Sequence, residues 1–322
     1  MSLAFQDKAM QNVEKIKILK DRAQMLGKAR GFFQQKEILE VDCPIMSHSA
    51  AIDVHINLIR AYGTNSATRY LHPSPEYGMK RLISEGIGDI YQLSHVFRDN
   101  EVGMRHNSEF TLAEWYRMGI SFQKMIDETI EFIRLFVGDV TCHAISYRDA
   151  FIKYTGIDYL TSSRKKMLNY LEEHGIDVYH NIEEEGKDGI LNIIMGVIIQ
   201  PKLGSDKICA LTHFPATQAA LAKTKKLKEE DVSERFEVFY KGLELANGYH
   251  ELTEPEEQKK RLLEANTIRE KLGRDTLPLD ENFLKALKRG LPNCCGVAVG
   301  FDRLMMLRHA KEDIAEVIPF AD

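Results

Sequence analysis

The sequence predicts an α+β fold, an antiparallel β-sheet flanked by helices, and three observations lead there. Strand-like runs stand at 91–97, 109–116, 235–240 and 243–252, with a glycine-punctuated strand from Gly296 into the Phe301–Leu304 segment. Helical patterns stand at 8–37, 122–137, 255–272 and 281–289. The two kinds interleave without a regular βαβ rhythm, which argues against a doubly wound parallel sheet. At 322 residues, the chain fits one large domain over residues 1–322.

Residues 8–37 mix charge with apolar side chains at helical spacing, Ile16, Ile18, Leu19, Leu26 and Phe33 among them. Ile38 to Val41 follows as a short strand, ended by Pro44. The runs at 91–97 and 109–116 read as a strand and its return, because Asp99 to Ser108 between them is polar and contains glycine. The stretch from about 141 to 210 has weak strand signals and helices around 163–174 and 188–197, and reads as an insertion decorating the sheet.

Hydrophobic residues make up 44% and charged residues 28%, a balance that supplies a core. A net charge of −5 argues against broad electrostatic binding to nucleic acid. The five cysteines are scattered and form no C-x-x-C pair, as expected of reduced thiols. No apolar run is long enough to span a bilayer and the N-terminus lacks an apolar signal core, so a cytoplasmic location without membrane contact is expected.

Three clusters carry candidate chemistry. One is Ser74-Pro75-Glu76-Tyr77. A second runs from Phe97-Arg98 through Arg105-His106-Asn107 to Glu109-Phe110 and Glu114-Trp115-Tyr116. The third joins Glu237, Glu244 and Glu251, seven residues apart each time, with Gly300 and Arg303. Taken singly, an arginine in a loop is a surface residue and strand glutamates are solvated more often than not. Together, arginines for phosphate, carboxylates for metal or amine and glycines that admit a ligand form a nucleotide-handling set. No G-x-x-x-x-G-K-[ST] loop is present, which excludes a P-loop enzyme.

Phe97-Arg98, His106 to Thr111 and Glu114-Trp115-Tyr116 resemble motif 2 of class II aminoacyl-tRNA synthetases, in the lysyl branch. Gly300-Phe301-Asp302-Arg303-Leu304 resembles motif 3, and Phe32 to Pro44 resembles motif 1, which builds the dimer interface in that class. The likeness runs from about residue 12 to 320. Motif 1 begins almost at once, so no N-terminal anticodon-binding OB-fold domain is expected. Glu244 to Thr253 is similar to the truncated lysyl-synthetase paralogues, ligases that attach (R)-β-lysine to a lysine of elongation factor P.

The resemblance implies ATP and Mg2+ as cofactors, a homodimer, (R)-β-lysine or lysine as substrate, elongation factor P as acceptor, and no tRNA. It implies catalytic roles for Arg98, on the α-phosphate and the substrate carboxylate, and for Arg303, on the γ-phosphate. Glu237 and Glu244 would hold the metal, and Asp99, Asn100, His106, Asn107, Phe110, Leu245 and Gly300 would complete the ATP site. Ser74, Pro75, Glu76, Glu114, Tyr116, Asn247, Glu251 and Ala298 would surround the amino acid. A surplus of carboxylates suits a cationic substrate, whose desolvation they offset. Ala298 stands where the tRNA enzymes have glycine, so its methyl group is a candidate selector of substrate shape. The motif 2 pattern Arg-x-Glu reads here Arg98-Asp99-Asn100-Glu101, with Glu101 a candidate substitute for the missing charge. Two other readings stay open: an adenylate-forming enzyme with a tRNA or small-molecule acceptor, and a non-catalytic paralogue with a regulatory binding role.

Overall fold

The fold is that of a computed structural model, which describes residues 3–49, 51–64, 67–179 and 182–321. The chain opens with α1 (Leu3–Gln35), then β1 (Leu39–Glu40), β2 (Met46–Ser47), β3 (Arg60–Tyr62), β4 (Thr68–Leu71) and α2 (Glu76–Ser84). The long hairpin β5 (Ile90–Phe97) and β6 (Glu109–Met118) leads into α3 (Phe122–Val137). After β7 (Cys142–Ser146) come the helices α4 (Tyr147–Thr155), α5 (Arg164–Glu173) and α6 (Gly186–Ile193). The chain closes with β8 (Ile208–Pro215), β9 (Thr224–Leu227), β10 (Glu230–Tyr240), β11 (Leu243–His250), α7 (Pro255–Lys271), α8 (Glu281–Gly290), β12 (Cys294–Gly300) and α9 (Phe301–Arg308).

The nine-stranded sheet has the order β1-β5-β6-β12-β11-β10-β8-β7, with β9 on β10; β2, β4 and β3 form a second, small sheet. The expected α+β sheet flanked by helices is present, with two parallel pairings at its edges. Its middle is antiparallel, but β1 lies parallel to β5 and β7 parallel to β8. Both exceptions sit near the edges, where helix-containing crossovers return the chain in the same direction.

One face of the sheet is apolar. Trp115, Phe236, Val238, Ala246, Val297 and Val299 pack there against Phe33 of α1, Phe132 and Phe136 of α3 and Phe301 of α9. The Trp115 indole is fully buried and donates to Glu128 at 2.9 Å, so its polar edge is satisfied within the core. The ends of α3 are built by the sequence: Ser121 caps the first turn and Gly138, at φ 83°, terminates the last. The helices between 147 and 193 form a second cluster with Phe214 and Phe239 against the β7–β8–β10 edge. Residues 194–199 continue α6 as a π-helical turn, beyond the regular helix expected to 197.

Candidate active site

The other face of the sheet is polar, and its strand register sets side chains in rows. One row runs Gln92, Glu114, Ala298, Asn247, Glu237 across β5, β6, β12, β11 and β10. The next runs Tyr116, Gly296, Tyr249, Arg235. Alternation along a strand would set Glu244 opposite Asn247, three residues on. A β-bulge prevents this: Val238 pairs with Ala246 but Phe239 with Glu244, leaving Leu245 unpaired. The extra residue turns Glu244 onto the face of Glu237, so glutamates seven residues apart share one surface.

That surface floors a cleft of about 1350 Å³. Arg98, Glu237, Glu244 and Arg303 all line it, as do Ser74, Glu76, His106, Asn107, Phe110, Glu114, Tyr116, Leu245, Asn247, Glu251, Ala298 and Gly300. Three candidate residues do not. Pro75 caps the N-terminus of α2. Asp99 donates its backbone N–H to Asn57, and Asn100 makes a left-handed turn at φ 62°. Glu101, not Asn100, reaches Arg98, at 3.6 Å.

At the end of the cleft around Arg98 and Arg303, the Arg98 guanidinium lies 5.1 Å from the centre of the Phe110 ring. Arg303 is held by three groups: it donates to the Glu244 carbonyl at 2.7 Å, to Arg105 O at 3.4 Å and to His106 Nε2 at 2.8 Å. Burial and the Arg303 charge both lower the His106 pKa, which leaves a neutral ring whose Nε2 accepts. Asn107 turns its amide onto Glu109 O at 2.7 Å. Asp302, beside Arg303 in motif 3, instead faces the interior, where it accepts from Thr111 N at 2.6 Å and from Arg22 of α1. It ties motif 3 to motif 2 and to the first helix.

The carboxylates of Glu237 and Glu244 are hard oxygen donors suited to Mg2+. Glu237 is buried, which raises its pKa, and Arg235 opposes that rise at 2.6 Å through one oxygen, Oε1. Its second oxygen and Glu244 fit a cation shared with a triphosphate. Among the described residues no cluster of three or more His, Cys, Asp or Glu side chains is set for a metal, so phosphate oxygens would complete the coordination.

At the other end, Glu114 accepts from Ser74 Oγ at 2.7 Å and from Tyr116 Oη at 2.9 Å. Burial, reinforced by the negative charge of Glu76, pushes its pKa up to about 8. Glu251 is 1% exposed, and its Oε1 has no hydrogen-bond partner among the described residues. Gly296 makes the packing possible: a Cβ there would stand 2.3 Å from the Tyr116 ring and 2.4 Å from Glu251 Oε1. Gly300 meets no such limit, since a Cβ would lie 3.7 Å from Arg303.

Two charged residues escaped the reading of the sequence: Arg235, which lines the cleft, and Lys80, which pairs with two glutamates that do. Lys80, 1% exposed, places its ammonium 2.6 Å from both Glu76 and Glu251. Arg235 lies 4.4 Å over the Phe214 ring and pairs with Glu237. A signal existed for each: Lys80 follows Glu76 by four residues on a helix and Arg235 precedes Glu237 by two on a strand, spacings that put them on a shared face.

The model of the class II tRNA synthetases (D, K and N) matches residues 4–322. The chain is 42% identical to the elongation factor P–(R)-β-lysine ligase of Avibacterium paragallinarum over 95% of both chains. It is 39% identical to the protein of that name from Haemophilus influenzae (strain PittGG), over 95% of both, and 37% identical to that from Pasteurella multocida, over 98% of both. With residues of motifs 2 and 3 on the polar sheet face, the chain belongs to the class II tRNA synthetases of the D, K and N group.

Proposed function

We propose that this protein is an AMP-forming ligase that activates (R)-β-lysine, or lysine, with ATP and transfers it to a lysine side chain of elongation factor P. The observation that carries the reading is the convergence of Arg98, Glu237, Glu244 and Arg303 in the cleft that also holds Glu76, Glu114 and Glu251. One end handles phosphate and the other handles amines, so an amino-acid carboxylate bound between them meets the α-phosphate. Relatives 37–42% identical over nearly their whole length carry the name of this activity.

In the first step the substrate carboxylate attacks the α-phosphorus and pyrophosphate leaves, giving the aminoacyl adenylate. Arg98 grips carboxylate and α-phosphate with its planar fork and holds them near in line. Arg303 takes the γ-phosphate, and Phe110 with His106 and Asn107 forms the purine site beside Arg98. Glu237 and Glu244 would hold Mg2+, which supplies charge neutralisation on the triphosphate. In the second step the acceptor amine attacks the carbonyl and AMP leaves, with no covalent enzyme intermediate. The amine end binds the substrate's ammonium groups: Glu76 the one nearer the carboxylate, and Glu114, Tyr116 and Glu251 the distal one.

A second copy of the chain completes the proposal. Leu39, Ile45, Met46, Tyr62 and Ile87 are exposed apolar side chains on or beside the small sheet and β1, next to motif 1. Sedimentation at about twice 36.9 kDa is expected, and a monomer would contradict it. No helix among the described residues is long and apolar enough to cross a membrane, and we assign the protein to the cytoplasm, with its acceptor. The activity test is ATP–pyrophosphate exchange stimulated by β-lysine or lysine; exchange stimulated equally by a neutral amino acid would refute the substrate class.

A further inference from the structure

The three carboxylates of the amine end carry one charge more than a diamino acid can neutralise. A substrate with two ammonium groups, its carboxylate bound elsewhere, matches two negative charges. Glu76, Glu114 and Glu251 bring three once Glu114 is ionised, the form in which it receives an ammonium group. Arg235 and Glu237, in the neighbouring rows, cancel each other at 2.6 Å. Lys80 also belongs to this end: its ammonium bridges Glu76 and Glu251 at 2.6 Å each. It has almost no solvent access and sits 6.0 Å from the centre of the Tyr116 ring.

We propose that Lys80 is a positioning residue that trims the amine end to two negative charges and fixes Glu76 and Glu251 in place to receive a doubly cationic amino acid. The proposal rests on the diamino-acid reading given above. Its ammonium spans two side chains from separate elements, Glu76 of α2 and Glu251 just after β11, and both line the cleft. Burying an ammonium is costly unless paired, so its two partners oppose that cost, and the Glu76 and Glu251 oxygens stay where the ammonium holds them. Burial works against the charge on Lys80, yet the two carboxylates outweigh it and keep its pKa well above the usual lysine range.

The test is a double-mutant cycle of Lys80→Met and Glu251→Gln, read in the exchange assay as KM for the diamino acid and KM for ATP. Lys80→Met is expected to raise the amino-acid KM about 100-fold, with the ATP KM within about twofold, because Glu76 and Glu251 lose the ammonium that holds them in place and their like charges drive them apart. Adding Glu251→Gln restores two negative charges, so the double variant should have an amino-acid KM no higher than Lys80→Met alone. Losses that multiply, or ATP and amino-acid KM values rising together, would overturn the proposal. If Lys80→Met does not fold, thermal melting decides: recovery of folding in the double variant supports the charge account, and failure of both means that Lys80 serves the fold, which ends the proposal. Exchange by the unaltered protein that no diamino acid stimulates brings down the functional reading itself, and the proposal with it. Intact exchange with multiplying losses brings down the proposal alone.

Discussion

The two ends of the cleft are built differently. At the amine end Lys80 and Glu251 are each 1% exposed and Glu114 is 2% exposed, and each is tied to another charged or hydroxyl group of the same cluster. At the phosphate end the side chains of Arg98, Arg303 and Glu244 are 28%, 22% and 35% exposed, and Arg303 leans on backbone carbonyls and a neutral histidine. The contrast fits the ligands. A triphosphate arrives with its own cation and many oxygens, so a half-open site can adapt to it. A diamino acid is recognised by where its charges lie, and only a dry, pre-arranged cluster gives charge position a large effect on affinity. The amine end is therefore the rigid part of the account and the phosphate end the adaptable part.

The contrast breaks most visibly if the ends can be disabled one at a time. Glu244→Gln should abolish lysine-dependent ATP–pyrophosphate exchange in a folded protein while calorimetry still shows amino-acid binding; undiminished exchange would remove Glu244 from the metal site. Gly296→Val should do the converse. Its side chain enters space held by the Tyr116 ring and Glu251, so the amino-acid KM should rise about 100-fold, with overpacking costing about 1–3 kcal/mol of stability. Retained amino-acid affinity in that variant would mean that the packing at Gly296 yields.

A pH series sharpens the comparison without mutation. With a pKa near 8 the Glu114 carboxyl is mainly neutral at pH 7, and only its ionised form attracts an ammonium group. The amino-acid KM should therefore fall as pH rises from 7 to 9, by up to about tenfold. The same shift has a sign for stability. A carboxyl whose folded pKa lies above its unfolded value favours the folded state at low pH, and that contribution is lost as pH rises towards 8. A KM flat across this range would show Glu114 already ionised. The smallest effect concerns shape. Ala298 lies in the row between Glu114 and Asn247, so Ala298→Gly should alter the ratio of α- to β-lysine activation by about tenfold. An unchanged ratio would exclude the methyl group as the selector.

How much of this was legible beforehand follows the same division. The motif strands, the hairpin loop at 99–108, α3 at 122–137 and the core position of Trp115 could be read because pattern and caps are local. The face shared by Glu237, Glu244 and Glu251 could not be derived from spacing. It depends on a bulge at Leu245 that only the pairing of β10 with β11 creates. The parallel edges at β1 and β7 were missed for a like reason, since strands of two and five residues take their direction from crossovers and not from their own residues. Lys80 was passed over because a lysine on a helix is ordinarily solvated; its burial comes from Glu251, 171 positions away. Arg98 was recognised, but its partner Glu101 could be fixed only once Asn100 was seen to turn away.

The most direct test of the whole account is mass spectrometry of elongation factor P after incubation with this protein, ATP and β-lysine or lysine. The account predicts that one acceptor lysine gains the mass of one lysyl residue, with AMP formed in step. Elongation factor P left unmodified while the activated amino acid appears on tRNA or on a small molecule would contradict it.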